Sequence, residues 1–214
     1  RIRDTPGILI PKFNPDTAPS RGFGVPMILL NTAQELRKAY PEKEAELTAF
    51  IDGLLTEIQT YFIRPDLETV LEQCDPDGRF QEEHFEGRLL NPGHAIEGSW
   101  FIMNEARHRN NDKELLKLGT RMLDWMWKRG WDSEYGGIIY FRDALGKSAT
   151  EYWHDMKFWW PQTEAVIANL MAYSLTGNKK YEDQFKIVHE YAHKLFPDPE
   201  YGEWFGYFHR DGTL

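Results

Sequence analysis

The sequence predicts an all-α fold, a ring of helix hairpins in which an inner layer of helices is buried by an outer one. Three observations carry this expectation. Segments that are apolar on most helical faces alternate with segments that carry a single apolar stripe. The alternation belongs to an internal repeat. Asp132-Ser133-Glu134-Tyr135-Gly136 returns 66 residues later as Asp198-Pro199-Glu200-Tyr201-Gly202, while Asn111 returns as Asn178 and Glu97 as Glu164, each 67 residues on. Aligning Lys43 with Lys113 extends the repeat backwards and puts Met27 level with Glu97. The third observation is physical. A helix apolar nearly all round needs cover on both sides. Its amphipathic partner supplies one side and neighbouring repeats supply the other. A right-handed solenoid would satisfy the same pattern. The inner helices, however, start with polar residues at matched positions, and a ring would make those starts converge on a central pocket.

The elements follow in order. Residues 1–24 hold four prolines, three glycines and no helical periodicity, and read as a long connecting loop. Residues 25–39 begin apolar on nearly all faces and turn polar, a buried helix emerging into solvent. Pro41 restarts the chain. In residues 41–62, Leu47, Phe50, Ile51, Leu54, Leu55, Ile58 and Phe62 recur at spacings of three and four, an amphipathic helix. Residues 68–74 and 87–90 read as short strands around the turn Asp75-Pro76-Asp77-Gly78. Residues 93–109 are the second mostly apolar helix, and 112–130 its striped partner, through Leu115, Leu118, Met122, Leu123, Met126 and Trp127. Residues 132–143 read as a turn and strand, and 144–153 as the return strand and loop. Residues 161–176 are the third apolar helix, 180–195 the third amphipathic one, and 198–211 close the chain.

With 41% hydrophobic and 28% charged residues, the 214-residue chain has the composition of an ordinary globular domain or part of one. Its net charge of −9 repels phosphate backbones and anionic membrane surfaces, so neither nucleic acid nor membrane is an expected partner. No run is long enough to span a bilayer. The single cysteine, Cys74, excludes an internal disulfide, and a reducing, cytoplasmic setting is the plain inference. The first residue is Arg1 and not methionine, which leaves room for a removed leader or N-terminal segment.

Chemistry is expected around Arg88-Leu89-Leu90-Asn91-Pro92-Gly93-His94-Ala95-Ile96-Glu97. Asn91-Pro92 is a turn that opens a helix, which places His94 in the first turn and Glu97 three residues on along the same face. Taken alone, such a histidine is a capped, partly buried core residue, and a glutamate near a helix start is a helix-stabilising group. The second copy, Trp160-Pro161-Gln162-Thr163-Glu164, changes the balance, because in a ring Glu97 and Glu164 point at one pocket beside His94 and Trp159-Trp160. Indole faces pack against the C–H faces of sugar rings, and carboxylates take sugar hydroxyls; core packing is the plainer role for the tryptophans. His154, among Tyr152, Trp153 and Asp155, is a weaker candidate. His189 and His193 lie four apart without a zinc-protease motif around them, and no glycine-rich phosphate loop or serine nucleophile elbow is present.

Residues 87–103, GRLLNPGHAIEGSWFIM, and 156–170, MKFWWPQTEAVIANL, resemble signature segments of the N-acylglucosamine 2-epimerase (renin-binding protein) family, and the helix that holds Val25-Pro26-Met27 fits it as well. The resemblance implies an (α/α)6 barrel, of which this chain supplies about three hairpins with short β excursions. It implies interconversion of N-acetylglucosamine and N-acetylmannosamine, with His94 a catalytic histidine and Glu97 and Glu164 lining the site. Trp159, Trp160, Arg88 and Met27 are the residues placed at the substrate. No metal or redox cofactor is implied, and ATP enters only as an allosteric effector known in the family. The expected partner is a small sugar, with homodimerisation left open. The family's second catalytic histidine lies beyond Leu214, and an arginine from its first hairpins is missing. Residues 1–214 are therefore expected to be a single barrel domain forming the central to C-terminal portion of a larger chain. Related cellobiose 2-epimerases and aldose–ketose isomerases carry a histidine where this helix has Met27, which favours the N-acyl-hexosamine branch.

The chemistry agrees with the resemblance. Inverting C2 of an opened sugar requires removal of a weakly acidic proton, stabilisation of an enediolate, and return of the proton on the other face, work suited to a histidine titrating near neutrality. An inverting glycosidase using Glu97 and Glu164 as acid and base is a competing reading, as is a binding protein with a degenerate site.

Overall fold

A computed structural model describes residues 19–214. Nearly all of the loop expected over residues 1–24 lies outside the described residues; its last residues form a strand, β1 (Arg21–Gly22), and lead straight into helix α1 (Gly24–Ala39). A 3-10 turn, Pro41–Lys43, precedes α2 (Glu44–Tyr61). Three two-residue strands follow, β2 (Ile63–Arg64), β3 (Thr69–Val70) and β4 (Gln73–Cys74), then the single-turn α3 (Phe85–Arg88) and β5 (Leu89–Leu90). The second hairpin is α4 (Pro92–His108) and α5 (Lys113–Gly130), closed by β6 (Arg142–Asp143). The third is opened by β7 (Lys157–Phe158), runs through α6 (Trp159–Thr176) and α7 (Lys179–Leu195), and is closed by β8 (Tyr207–Phe208). Among the described residues no helix is long and apolar enough to cross a membrane.

The alternation of apolar and striped helices is the layering itself. The first members of the pairs, α1, α4 and α6, pack side by side with α4 in the middle, and α2, α5 and α7 each back their own partner. Twelve of the 17 residues of α4 are buried, which only flanking helices on both sides and a backing helix can achieve. The backing helix comes very close. A Cβ at Gly119 of α5 would lie 2.6 Å from Met103 Cγ and 2.8 Å from the Ser99 carbonyl oxygen of α4, so only glycine fits there.

Each hairpin is closed by its own pair of antiparallel strands: β1 with β4, β5 with β6, and β7 with β8, while β2 and β3 form a local ribbon. The strand that opens a hairpin pairs with the one that closes it, and this pins the start of every inner helix. Here the structure corrects the expected strands. Residues 144–153 are not a return strand, because Asp143 Oδ1 accepts from the N–H groups of Leu145 and Lys147 and turns the chain as β6 ends. Residues 87–90 are strand only at Leu89–Leu90. Helix α6 begins two residues earlier than Pro161, which sits third in the helix, where its missing N–H leaves nothing unsatisfied.

The repeat recurs atom for atom in its turns. Asp132 Oδ1 accepts from the N–H of Glu134 and of Tyr135, and Asp198 Oδ1 accepts from the N–H of Glu200 and of Tyr201. Gly136 and Gly202 follow with φ of 77° and 80°. Helix starts are capped by the asparagine and aspartate side chains of Asn91, Asp112 and Asn178, and α6 ends on left-handed Gly177.

Most polar groups inside this core are matched, Asn169 Oδ1 and the Tyr191 hydroxyl being exceptions. Glu105 of α4, with no exposed surface, accepts from Arg37 at 2.7 and 3.0 Å, from Arg109 at 2.7 Å and from Gln34 at 3.1 Å, tying α1 to α4. Gln162 of α6, equally buried, clamps the turn before it. Its Oε1 accepts from the Ile138 N–H at 2.7 Å and its Nε2 donates to the carbonyls of Ile138 and Phe158 at 2.9 and 3.0 Å. Asp132 is buried beside fully buried Lys157 at 3.1 Å, and Arg210 donates to it at 2.7 and 3.0 Å. Burial alone would raise the Asp132 carboxyl, but the Arg210 hydrogen bonds, the Glu134 N–H and Lys157 outweigh it and hold it far below the usual carboxylate range.

Asp132→Ala strands Lys157 without its counter-charge, and the loss expected is about 3–5 kcal/mol in urea unfolding of the full-length protein at pH 7. Because the folded-state pKa is depressed, the wild-type advantage is present above the ordinary aspartate value and disappears as pH falls below it. An unchanged unfolding midpoint in the variant at pH 7 would show that the cluster contributes nothing.

Candidate functional site

The site is built at the starts of α4 and α6. Asn91 is extended, and its Oδ1 accepts the His94 N–H at 3.1 Å; Pro92 follows it as the first helical residue. This cap fixes where the His94 ring leaves the helix. The ring is then held from two directions. Its Nδ1 lies 3.0 and 3.1 Å from the two carboxylate oxygens of Glu72, which immediately precedes β4. Its face packs on Trp160, with ring centroids 5.1 Å apart. The two helix starts approach so closely that a Cβ on Gly93 would meet Trp160 ring carbons at 2.7 Å and Pro161 Cβ at 3.0 Å.

One turn into α4, Glu97 is half-buried. Its carboxyl is pushed up to about 7, first by burial and then by the charge of Glu164, with His94 opposing. Glu164, one turn into α6, is raised by burial, and the Trp100 indole N–H, donated to its Oε2 at 2.7 Å, opposes the rise. His94, Glu97, Glu164 and Trp160 are thus brought together, as the matched helix starts lead one to expect. The assembly offers a histidine oriented by a carboxylate and a carboxyl that keeps its proton close to neutrality. Both are equipment for moving protons at an uncharged substrate.

Of three other residues named from the sequence, two are committed to the scaffold and the third is exposed. Arg88 is buried and committed to the scaffold, its Nε donating to Asp143 Oδ2 at 2.8 Å and its Nη1 to the Glu82 carbonyl at 2.6 Å. Met27 is buried in the core, where its Cγ and the Phe23 ring fill the space in front of Gly98. Trp159 is 45% exposed at the start of α6, its N–H donated to the Gly206 carbonyl.

Conversely, Glu72, Trp100 and Tyr140 escape the sequence reading. Tyr140, two residues ahead of β6, sets its ring 6.0 Å from Trp160 and is raised by burial and by the charge of Glu72. A signal for Glu72 and Tyr140 does exist: each lies at the approach to a closing strand, where the chain returns to the end of the barrel that holds the helix starts. Among the described residues no group of three or more His, Cys, Asp or Glu is placed to hold a metal ion. A cavity of about 480 Å³ lined by Gln34, Arg37, Asn104, Arg107 and His108 lies at the other end of α4, roughly 20 Å along the helix from His94.

A profile of the N-acylglucosamine 2-epimerase family matches residues 21–214. The N-acylglucosamine 2-epimerase of Bos taurus is 38% identical over 213 residues, 100% of this chain and 50% of that protein. The human protein of the same name is 36% identical over 90% of this chain and 44% of its own length. The chain therefore spans about half the length of the curated relatives it matches. Among solved structures, a D-mannose isomerase superposes with a TM-score of 0.77 at 18% identity, covering 92% of this chain and 51% of that one. The likeness establishes the barrel fold, here represented by three of its hairpins.

The carboxyl pair makes a pH prediction. Glu164→Gln removes one of the two influences that raise Glu97 and leaves burial in place. The Glu97 midpoint, followed by carbon NMR of the side-chain carboxyl, is expected below 7 but still above the ordinary 4.5. A group whose pKa is raised on folding stabilises the fold fully below its unfolded value and loses that contribution as pH rises through the folded value. Glu97→Gln is accordingly expected to flatten the decline in stability between pH 4.5 and 7, and an undiminished decline would mean that Glu97 does not carry it.

Proposed function

The chain belongs to the N-acylglucosamine 2-epimerase family, and from that premise we propose that the protein epimerises an N-acyl-hexosamine at C2, interconverting the N-acetylglucosamine and N-acetylmannosamine configurations. The observation that supports this best is the His94 arrangement. Its Nδ1 is engaged by Glu72, and a carboxyl that still holds a proton near neutrality sits one helical turn away.

The chemistry runs as follows. The hemiacetal opens as protonated Glu97 gives its proton to the ring oxygen and its carboxylate takes the O1 hydrogen, so that Glu97 ends the step protonated. His94 removes the C2 proton. The electron pair passes into the carbonyl, giving an enolate with charge on O1, the N-acyl counterpart of the enediolate an ordinary aldose would form. Protonated Glu97 is suited to stabilise that oxyanion. Proton return at C2 from the opposite face completes inversion; by the resemblance, a second histidine C-terminal to Leu214 performs it. Because C2 carries nitrogen, return of the proton to C1 would give an N-acyl imine and no ketose. An N-acyl substrate therefore directs this intermediate to epimerisation, and an ordinary aldose leaves the ketose route open. The proton steps themselves call for no metal or redox group. Trp160, whose edge and face line the same helix starts, is a candidate to bear on the sugar's C–H surface.

In full-length protein supplied with N-acetylmannosamine in deuterated water, N-acetylglucosamine should appear with deuterium at C2. His94→Asn is expected to lower this rate by about 10²–10⁴ with the circular dichroism unchanged. A wild-type rate in His94→Asn, or product without solvent deuterium at C2, would overturn the proposal.

A further inference from the structure

We propose that Glu72 is the positioning residue of this site, holding His94 as the tautomer protonated on Nδ1 so that Nε2 is the nitrogen that exchanges protons with substrate. The inference rests on the reading of His94 as the proton-transfer group and adds a residue to it.

The geometry is specific. Both carboxylate oxygens of Glu72 stand 3.0–3.1 Å from one ring nitrogen. An ionised carboxylate only accepts hydrogen bonds, so Nδ1 must carry the hydrogen, and in the neutral ring Nε2 is then the basic nitrogen. The partners are anchored independently. The Glu72 carbonyl accepts the Phe23 N–H at 3.0 Å, the neighbouring Leu71 N–H is donated to the Phe62 carbonyl at 2.9 Å, and β4 begins at the next residue against β1. The carboxylate is thus carried by the first hairpin, with its side chain 17% exposed. His94 is carried by the second hairpin through the Asn91 cap, and Trp160 of the third lies against the ring. Three hairpins therefore meet at one imidazole. Rotation of the ring about its Cβ–Cγ bond would exchange the Nδ1 hydrogen bond for a C–H contact and disturb the packing on Trp160. A carboxylate serving only to bind a sugar hydroxyl would gain nothing from aiming both oxygens at this nitrogen.

The test uses full-length protein labelled with ¹⁵N-histidine, the His94 signals being assigned by their absence in His94→Asn. In wild type, the neutral His94 ring should show a protonated Nδ1 and an unprotonated Nε2. Glu72→Gln replaces an acceptor-only carboxylate with an amide that can also donate to Nδ1, so it should lose the pure Nδ1–H tautomer and much of the turnover, as happens when the orienting aspartate of a catalytic histidine becomes asparagine. Glu72→Ala should show both tautomers and lose roughly 10²–10⁴-fold in kcat, the upper figure being the loss when the aspartate that orients a catalytic histidine becomes asparagine, with KM little changed. If Glu72→Ala keeps a pure Nδ1–H tautomer, or keeps wild-type kcat, the positioning role is overturned while the epimerase reading stands. An active His94→Asn would overturn the epimerase reading itself, and the tautomer spectra would still report on Glu72. Should Glu72→Ala fail to fold, the Gln variant decides: loss of the pure Nδ1–H tautomer there with a lowered kcat supports the proposal, and its retention, or a wild-type kcat, overturns it.

Discussion

An inner helix with water on almost no side is the constraint from which this architecture follows. Helix α4 buries its middle against α1, α5 and α6 together, and no single partner could do that. A polar side chain along such a helix must bring its own partners, because an unmatched polar group in the interior costs about 1–3 kcal/mol. Glu105 and Gln162 obey, whereas Asn169 is met on one side only: its Nδ2 donates to the Ala165 carbonyl one turn back and its buried Oδ1 has no hydrogen-bond partner among the described residues. Only at the helix starts, where the first N–H groups are unpaired and the closing strands bring the chain back, is there room for polar groups that are not fully neutralised.

That difference separates scaffold from site among residues of identical chemistry. Asp132, Asp143 and Glu105 face arginine or lysine and are held below the usual carboxylate range despite burial. Glu97 and Glu164 are only half-buried, but the influences on Glu97 are another carboxylate and a histidine, and Glu164 leans on an indole N–H. Their charged forms are disfavoured, so they keep protons that the scaffold carboxylates have long surrendered. The same amino acid is a fixed charge at Glu105 and a carboxyl raised toward neutrality at Glu97 on one helix, and the choice is made by which side chains surround it.

How much of this could be read in advance depends on the range of the interaction. The six long helices were legible because their burial pattern has a local period, and the Asp132 and Asp198 turns because the repeat preserves the same side-chain-to-backbone bonds. The two-residue strands were not: Leu89 and Leu90 are strand only because Arg142 and Asp143 return to them. Arg88 looked available for substrate because its partner, Asp143, lies 55 residues away. Glu72 drew no attention because its partner is on another hairpin, 22 residues on. Glu97 and Glu164 could be paired from the sequence, since one position in a repeat maps to one place around the ring. What each feels there depends on contacts that the repeat does not preserve, such as the Trp100 indole on Glu164.

Asp132 also bears on how the chain is made. Its carboxylate is completed by Lys157, 25 residues downstream, and by Arg210, 78 residues downstream. At about 5–20 residues per second on a ribosome, roughly 4–16 s pass between the synthesis of the aspartate and that of its last partner. During that interval the α4–α5 hairpin can form its helices, but the turn after α5 carries a bare carboxylate facing what will become interior. The second hairpin therefore gains part of its stability only as the third emerges, which couples the two during synthesis from the N-terminus.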